Sequence, residues 1–181
     1  MQKIAIVGPE STGKSTISAQ LAAHYKTIWI PEYARSYCEK LTAPCTWQDE
    51  INMFKGQLEL EQAMLPQASN NIVICDTTFI TIKIWSDKMF GKTPEEVLTA
   101  LPKHRYDFYL LMNIDLPWED DPLRDFPNER EYFMNIWHQE LNALNADYVV
   151  ISGSYEERLQ RGIKAIDQFL ATNNDTAAKT L

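Results

Sequence analysis

Eight consecutive residues, Gly8-Pro9-Glu10-Ser11-Thr12-Gly13-Lys14-Ser15, fit the spacing G-x-x-x-x-G-K-S/T at every fixed position. Each fixed type has a physical reason. The glycines let the backbone wrap an anion where a Cβ would clash. Successive backbone N–H groups, with the N-terminus of a following helix, cradle phosphate oxygens. Lys14 then reaches the β- and γ-phosphates, and the Ser15 hydroxyl is a ligand for Mg²⁺. Thr16 adds a donor near the α-phosphate. The expected chemistry is binding of ATP with Mg²⁺ and movement of the γ-phosphoryl group onto a small molecule.

Further candidates lie where apolar runs end, the edge at which open α/β sheets collect ligands. Asp76 follows Asn71 to Cys75 (NIVIC). A carboxylate there is placed to hold Mg²⁺, directly or through water, and to border the substrate. It could instead cap a helix starting at Phe79, a task also open to Thr77 and Thr78. Glu32, within Pro31-Glu32-Tyr33-Ala34-Arg35, would face the γ-phosphate across a cleft and could bind a substrate hydroxyl or accept its proton. Tyr33 and Arg35 join it as substrate-binding candidates. Arg35 could bind phosphate, or pair with Glu32 one helical turn back. Arg124 lies in a proline-rich stretch and Arg130 starts the helix after it. Arginines on a closing segment neutralise charge on a migrating phosphoryl group and exclude water. The alternative is solvated arginines balancing Asp120, Asp121 and Asp125.

The elements that must position these groups alternate between strand and helix. Apolar runs at Lys3 to Val7, Thr27 to Ile30, Asn71 to Cys75, Tyr106 to Met112 and Tyr148 to Ser152 read as five strands. Between them, helical spacing covers Gly13 to Tyr25, Ala34 to Lys40, Phe79 to Asp87, Glu129 to Asn145 and Glu156 to Leu170. A long helix starts at Thr46, an N-cap with Asp49 three residues on, and buries Ile51, Phe54, Leu58, Met64 and Leu65 before Pro66 stops it. Thr93-Pro94-Glu95-Glu96 opens a further helix. Residues 115–128, with three prolines and five acids, read as a loop or mobile flap. The predicted fold is α/β, a three-layer P-loop domain with a five-stranded parallel sheet, helices on both faces and a flexible lid. One domain is expected over 1–170, with a frayed tail at 171–181.

Bulk properties agree. An apolar share of 45% with 23% charged residues is the composition of a globular protein. No apolar run is long enough to span a bilayer and the first residues lack a signal peptide, so a cytoplasmic location is expected, with no membrane partner. Three scattered cysteines, Cys38, Cys45 and Cys75, read as free thiols. A net charge of −8 without any Lys/Arg cluster argues against a nucleic-acid partner, whose phosphates would need a basic face. His24, His104 and His138 stand singly and read as structural. Trp47, Trp85, Trp118 and Trp137 fit either a core or an aromatic ligand site, Trp118 in the flap being the least suited to a core. The sequence is compatible with a homo-oligomer and does not specify one.

Four segments taken together resemble a known family. Gly-Pro-Glu-Ser-Thr-Gly-Lys-Ser-Thr at 8–16, Glu-Tyr-Ala-Arg at 32–35, Asp-Thr-Thr-Phe-Ile-Thr at 76–81 and Trp-Glu-Asp-Asp-Pro-Leu-Arg at 118–124 are similar to the ribosylnicotinamide kinase domain of the NadR family, an AAA-type ATPase. The similarity runs from Lys3 to about Leu170. It implies a nucleoside-kinase-like fold, phosphorylation of the 5′-hydroxyl of nicotinamide riboside by ATP, and a place in NAD biosynthesis. It also implies that Gly153-Ser154-Tyr155 pack the adenine. At this length the chain is expected to be the kinase module alone, without the adenylyltransferase and helix-turn-helix parts of longer members. One position departs: where the family places a Trp that stacks on the nicotinamide ring, this chain has Pro31. An acceptor that is another nucleoside or a hydroxymethyl vitamin therefore stays open. So does a nucleotide-dependent regulatory ATPase.

Overall fold

A computed structural model describes the backbone of residues 1–178 and side chains through 173. Among the described residues five strands, β1 (Gln2–Val7), β2 (Trp29–Ile30), β3 (Ile72–Asp76), β4 (Phe108–Met112) and β5 (Tyr148–Ile151), alternate with seven α-helices. The helices are α1 (Lys14–His24), α2 (Tyr33–Cys38), α3 (Trp47–Met64), α4 (Phe79–Phe90), α5 (Glu95–Ala100), α6 (Arg130–Ala143) and α7 (Tyr155–Ala178). All strand pairs are parallel, in the order β2-β3-β1-β4-β5. The three-layer P-loop fold expected from the sequence is the fold observed.

Strand alternation produces the layers, because successive side chains point to opposite faces. Ala5 and Val7 of β1, with Val73, Cys75, Tyr109 and Leu111, pack on one face against Ile80, Ile84, Phe133 and Trp137 from α4 and α6. Ile4 and Ile6, with Ile72, Ile74, Leu110 and Met112, pack on the other against Ile17, Leu21 and Ile166 from α1 and α7. Both faces are covered, so the central strands are apolar throughout. A smaller cluster of Met53, Phe54, Phe79, Ile82 and Val97 joins α3, α4 and α5 beside the sheet.

Helix starts follow their capping chemistry. Thr46 and Asp49 form a reciprocal capping box at the start of α3. Thr78 caps α4 through Ile80 N–H, so Asp76 is not needed for that task. Two expectations change. The buried face of α3 is not the purely apolar stripe expected: Glu50, Gln57 and Glu61 share it with Ile51, Met53 and Phe54, while Leu58 is only half-buried. Helix α7 runs past Leu170 to Ala178, since neither Gly nor Pro stands between Leu170 and Ala178 and Ala171, Ala177 and Ala178 favour helix. The rest of the expected tail, 179–181, lies outside the described residues.

The histidines are structural among the described residues. His24 meets Tyr25 edge-on, His104 meets Phe79, and His138 Nδ1 lies 3.0 Å from the Tyr148 hydroxyl. Cys75 is buried and all three thiols are free. No described helix is long and apolar enough to cross a membrane.

Candidate functional site

The strand order reverses direction around β1, which puts the phosphate loop at the switch point where open α/β sheets bind ligands. Gly8 follows Val7 directly, at φ 138°, and a Cβ there would lie 2.8 Å from the Met112 carbonyl oxygen of β4. Only glycine lets the loop leave the sheet so close to a neighbouring strand. Ser11 (φ 55°) and Gly13 (φ 77°) both adopt left-handed backbone, the alternation of hand that gathers N–H groups into a nest for anions. Thr12 Oγ1 closes the loop on the Pro9 carbonyl at 2.8 Å. Lys14 Nζ donates to that same carbonyl at 2.8 Å. The ammonium thus rests on its own loop, beside the position it would take on a phosphate.

Asp76 stands next to this loop because β3 pairs with β1 in a register that sets Asp76 beside Ile6. It is 3% exposed. Burial raises its carboxyl above the usual range, while the Ser15 hydroxyl, hydrogen-bonded to it, and the Lys14 ammonium pull it back. Two hard oxygens from Ser15 and Asp76 are therefore side by side. Mg²⁺ takes one or two protein oxygens and completes its shell with phosphates and water, so this donor set fits that ion.

Glu32 sits at the turn from β2 to α2, in extended backbone, and its side chain makes no cap bond to α2. It opens onto the cleft but is otherwise surrounded by protein, so burial raises its carboxyl, with Lys14 opposing the shift and Asp76 adding to it. The turn is held from α3: Gln57 Oε1 accepts Tyr33 N–H at 2.7 Å and Gln57 Nε2 donates to the Pro31 carbonyl at 3.3 Å. Arg35 is not the partner of Glu32. Its guanidinium pairs with Asp121 of the flap at 2.8 Å and more loosely with Glu39.

Residues 115–128 have no helix or strand and cross the mouth of the cleft as expected of a flap. They are tied to the phosphate loop. The Glu10 carboxylate accepts the Asp125 and Phe126 N–H groups at 3.3 and 3.2 Å. Ser11 Oγ accepts Glu119 N–H at 2.8 Å. Arg124 donates to Ser11 Oγ and the Glu119 carbonyl and borders the cleft. Arg130 donates to the Ser11 and Leu116 carbonyls, bracing the loop backbone.

At the far end of the loop, Tyr155 packs against Gly13, where an added Cβ would meet the ring at 2.9 Å. Its hydroxyl donates to Glu119 at 3.2 Å. Gly153 and Ser154 are fixed by Asp115 and Glu157. Sequence reasoning missed the residue that joins this end together. Arg158 is fully buried and donates to the carbonyls of Gly153 (2.7 Å), Thr12 (3.1 Å) and Asn113 (3.0 Å), and to Asp115. The signal was its spacing. Arg158, Gly162 and Ile166 stand four residues apart on the buried face of α7, so an arginine occupies a core position.

One cavity of about 450 Å³ collects these groups. Gly8 to Thr16, Glu32, Arg35, Arg124 and Tyr155 line one part of it; Cys38, Cys45, Glu50, Met53, Ile82 and Trp85 line another. Gly153, Ser154, Arg130 and Tyr33 are outside the lining, the Tyr33 ring lying over Gly56 of α3. Asp76 is reached through Ser15 and Lys14. Trp137 is a core residue at one wall, Trp85 stacks on Phe126 of the flap, and Trp118 bonds Asp120.

Comparison with known proteins gives this geometry a context. A family model described as an AAA domain matches residues 3–158. The trifunctional NAD biosynthesis/regulator protein NadR of Salmonella typhimurium is 26% identical over 179 residues, covering 94% of this chain and 43% of the relative. The chain thus spans less than half the length of that relative. A crystal structure of a NadR protein in complex with NR superposes with a TM-score of 0.75 at 20% identity, over 93% of this chain and 50% of that one. Deoxyadenosine kinase from M. mycoides has the same fold, with a TM-score of 0.63 at 15% identity over 92% and 100% of the two chains.

Proposed function

The chain belongs to the AAA domain family, and we propose that it is an ATP- and Mg²⁺-dependent kinase that phosphorylates the 5′-hydroxyl of nicotinamide riboside. The observation that carries this is the convergence of Lys14, Ser15, Glu32 and Arg124 on one cavity, with Asp76 hydrogen-bonded to Ser15 behind them. Such a set both binds a nucleotide and leaves room opposite its γ-phosphate for an acceptor.

Phosphoryl transfer needs positioning and charge stabilisation more than covalent chemistry. Lys14 leaves the Pro9 carbonyl for the β- and γ-phosphates, and Arg124 supports the migrating group from the flap. Ser15 and Asp76 would hold Mg²⁺, which would supply positive charge to offset that of the phosphates. Glu32 orients the acceptor hydroxyl and takes its proton as the new P–O bond forms and the bond to ADP breaks. A carboxyl raised by burial suits that task, because proton transfer is best served by a group whose pKa lies nearer the working pH. The flap excludes water, which would otherwise compete as acceptor.

Nicotinamide riboside is supported by the NadR relative and by the NadR structure that holds NR. A different nucleoside is the second reading, favoured by one residue: Pro31 is exposed where the family's stacking Trp would stand. A coupled ADP-release assay with ATP·Mg²⁺ separates them. Turnover with nicotinamide riboside above a panel of nucleosides and vitamin alcohols supports the first; turnover with another member replaces the acceptor. ATP hydrolysis indifferent to every acceptor would point to a regulatory ATPase. Turnover unchanged in Glu32→Gln would remove Glu32 from the proton transfer.

A further inference from the structure

We propose that Glu50 selects the acceptor by accepting a hydrogen bond from an N–H on its base, an amide or exocyclic amine, and by turning away acceptors that carry a carboxylate there. This rests on the kinase reading above and deepens it.

Helix α3 buries three polar side chains on one face, and two of them are fully employed. Gln57 holds both ends of the Pro31–Tyr33 turn. Glu61 pairs with Lys3 at 2.8 Å and accepts the Tyr106 hydroxyl. Glu50 is buried to the same degree, 3% exposed, yet its partners are poor. Ser86 Oγ donates to one oxygen at 3.3 Å, and the other has only the Cys45 thiol at 3.9 Å. No cation pairs with it among the described residues. A carboxylate offers about four acceptor sites, and a thiol is a weak donor.

The unmet capacity faces the cavity that Lys14 and Glu32 also line. Around Glu50 that wall is apolar: Cys38, Met53, Ile82 and Met89. Pockets of this kind fix a ligand with a few placed polar groups in an apolar lining. Burial lifts the Glu50 carboxyl to about 7, against the Ser86 and Cys45 hydrogen bonds and with Asp49 adding to the shift. A ligand N–H supplies the donor that the protein leaves out. A ligand carboxylate brings a second negative charge into the same low-dielectric wall.

The test uses the full chain, ATP·Mg²⁺ and matched acceptors: nicotinamide riboside against nicotinate riboside, and cytidine against uridine. Wild type should prefer nicotinamide riboside over nicotinate riboside, and cytidine, with its exocyclic amine at C4, over uridine, which has a carbonyl oxygen there. Glu50→Gln, which keeps an acceptor oxygen but adds an amide donor, should cut the preference for nicotinamide over nicotinate riboside by about tenfold or more. Glu50→Leu should raise KM for the N–H acceptors by a similar factor with kcat little changed. Binding of a non-hydrolysable ATP analogue reports whether each variant folds, and Glu50→Gln decides if Glu50→Leu does not. Acceptor preference identical in wild type and Glu50→Gln would make Glu50 a packing residue and leave the kinase standing. No turnover of any acceptor would overturn the kinase reading, and this inference with it.

Discussion

The two walls of the cleft are built differently. The phosphate wall comes from one stretch of chain, Gly8 to Thr16, set in the middle of the sheet where β1 is paired on both sides. Its supports, Arg158, Arg130 and Asp76, reach it from buried or braced positions. The acceptor wall is assembled from α2, α3, α4 and the flap, elements far apart in sequence, and its buried carboxylates, Glu32 and Glu50, pair with no cation among the described residues. On the kinase reading the phosphate wall would bind a constant group, so its geometry can be fixed in advance by the backbone. The acceptor wall must recognise one molecule among many, which takes side chains whose bonding is completed by the ligand.

That contrast can be broken at several points. The largest effect is expected at Arg158. Truncation to alanine takes the donor from three carbonyls, at about 1–3 kcal/mol for each one left buried and unmet, while the exposed Asp115 returns to water. Thermal unfolding should show a large fall in Tm, with weaker binding of an ATP analogue. If Arg158→Ala is as stable as wild type, the phosphate wall is not held from behind as described. Next comes Lys14→Ala, expected to lower kcat by about 10²–10³ through loss of one charge-stabilising donor, with the fold and its circular dichroism intact.

The acceptor wall should declare itself through pH. Glu32 and Glu50 are both held above ordinary carboxyl values, chiefly by burial. For Glu50 the unfolded value is 4.5 and the folded value about 7. The folded state therefore binds more protons between those limits, and stability falls as pH rises from 4.5 to 7. Glu50 alone accounts for about 3 kcal/mol of that fall. Denaturant melts of wild type and Glu50→Gln across this range should converge near pH 4.5 and separate above it, with the variant more stable. Parallel curves would mean Glu50 is satisfied without a ligand. The smallest effect belongs to Arg35 and Asp121. This exposed pair is worth about 0–1 kcal/mol, so Asp121→Asn should change acceptor KM by a few-fold at most, and less at high salt.

How much was legible in the sequence divides along the same line. The phosphate loop was, because its chemistry depends on backbone and on residues adjacent in the chain. The sheet was too, since buried parallel strands are near-continuous apolar runs. Asp76 and Glu32 could be placed from the ends of such runs. Arg158 was hidden among Glu156, Glu157 and Arg161 in a helix that looks solvated until its register is known. Glu50 and Gln57 were hidden for the opposite reason: the apolar residues beside them on α3 supplied a stripe that left polar neighbours looking like surface. The bonds of Arg130 to the Ser11 and Leu116 carbonyls were not legible, because chain order cannot say which side of a loop a side chain approaches.

Strand β2 is two residues long and lies at the edge of the sheet. It joins β3 through Trp29 and Ile30 only, and Gln57 supplies a further tether to the turn beyond it. Selection can therefore remodel that corner without touching the centre. Mutations around Pro31, Glu50 and Gln57 would trade one acceptor for another while the nucleotide grip is inherited unchanged.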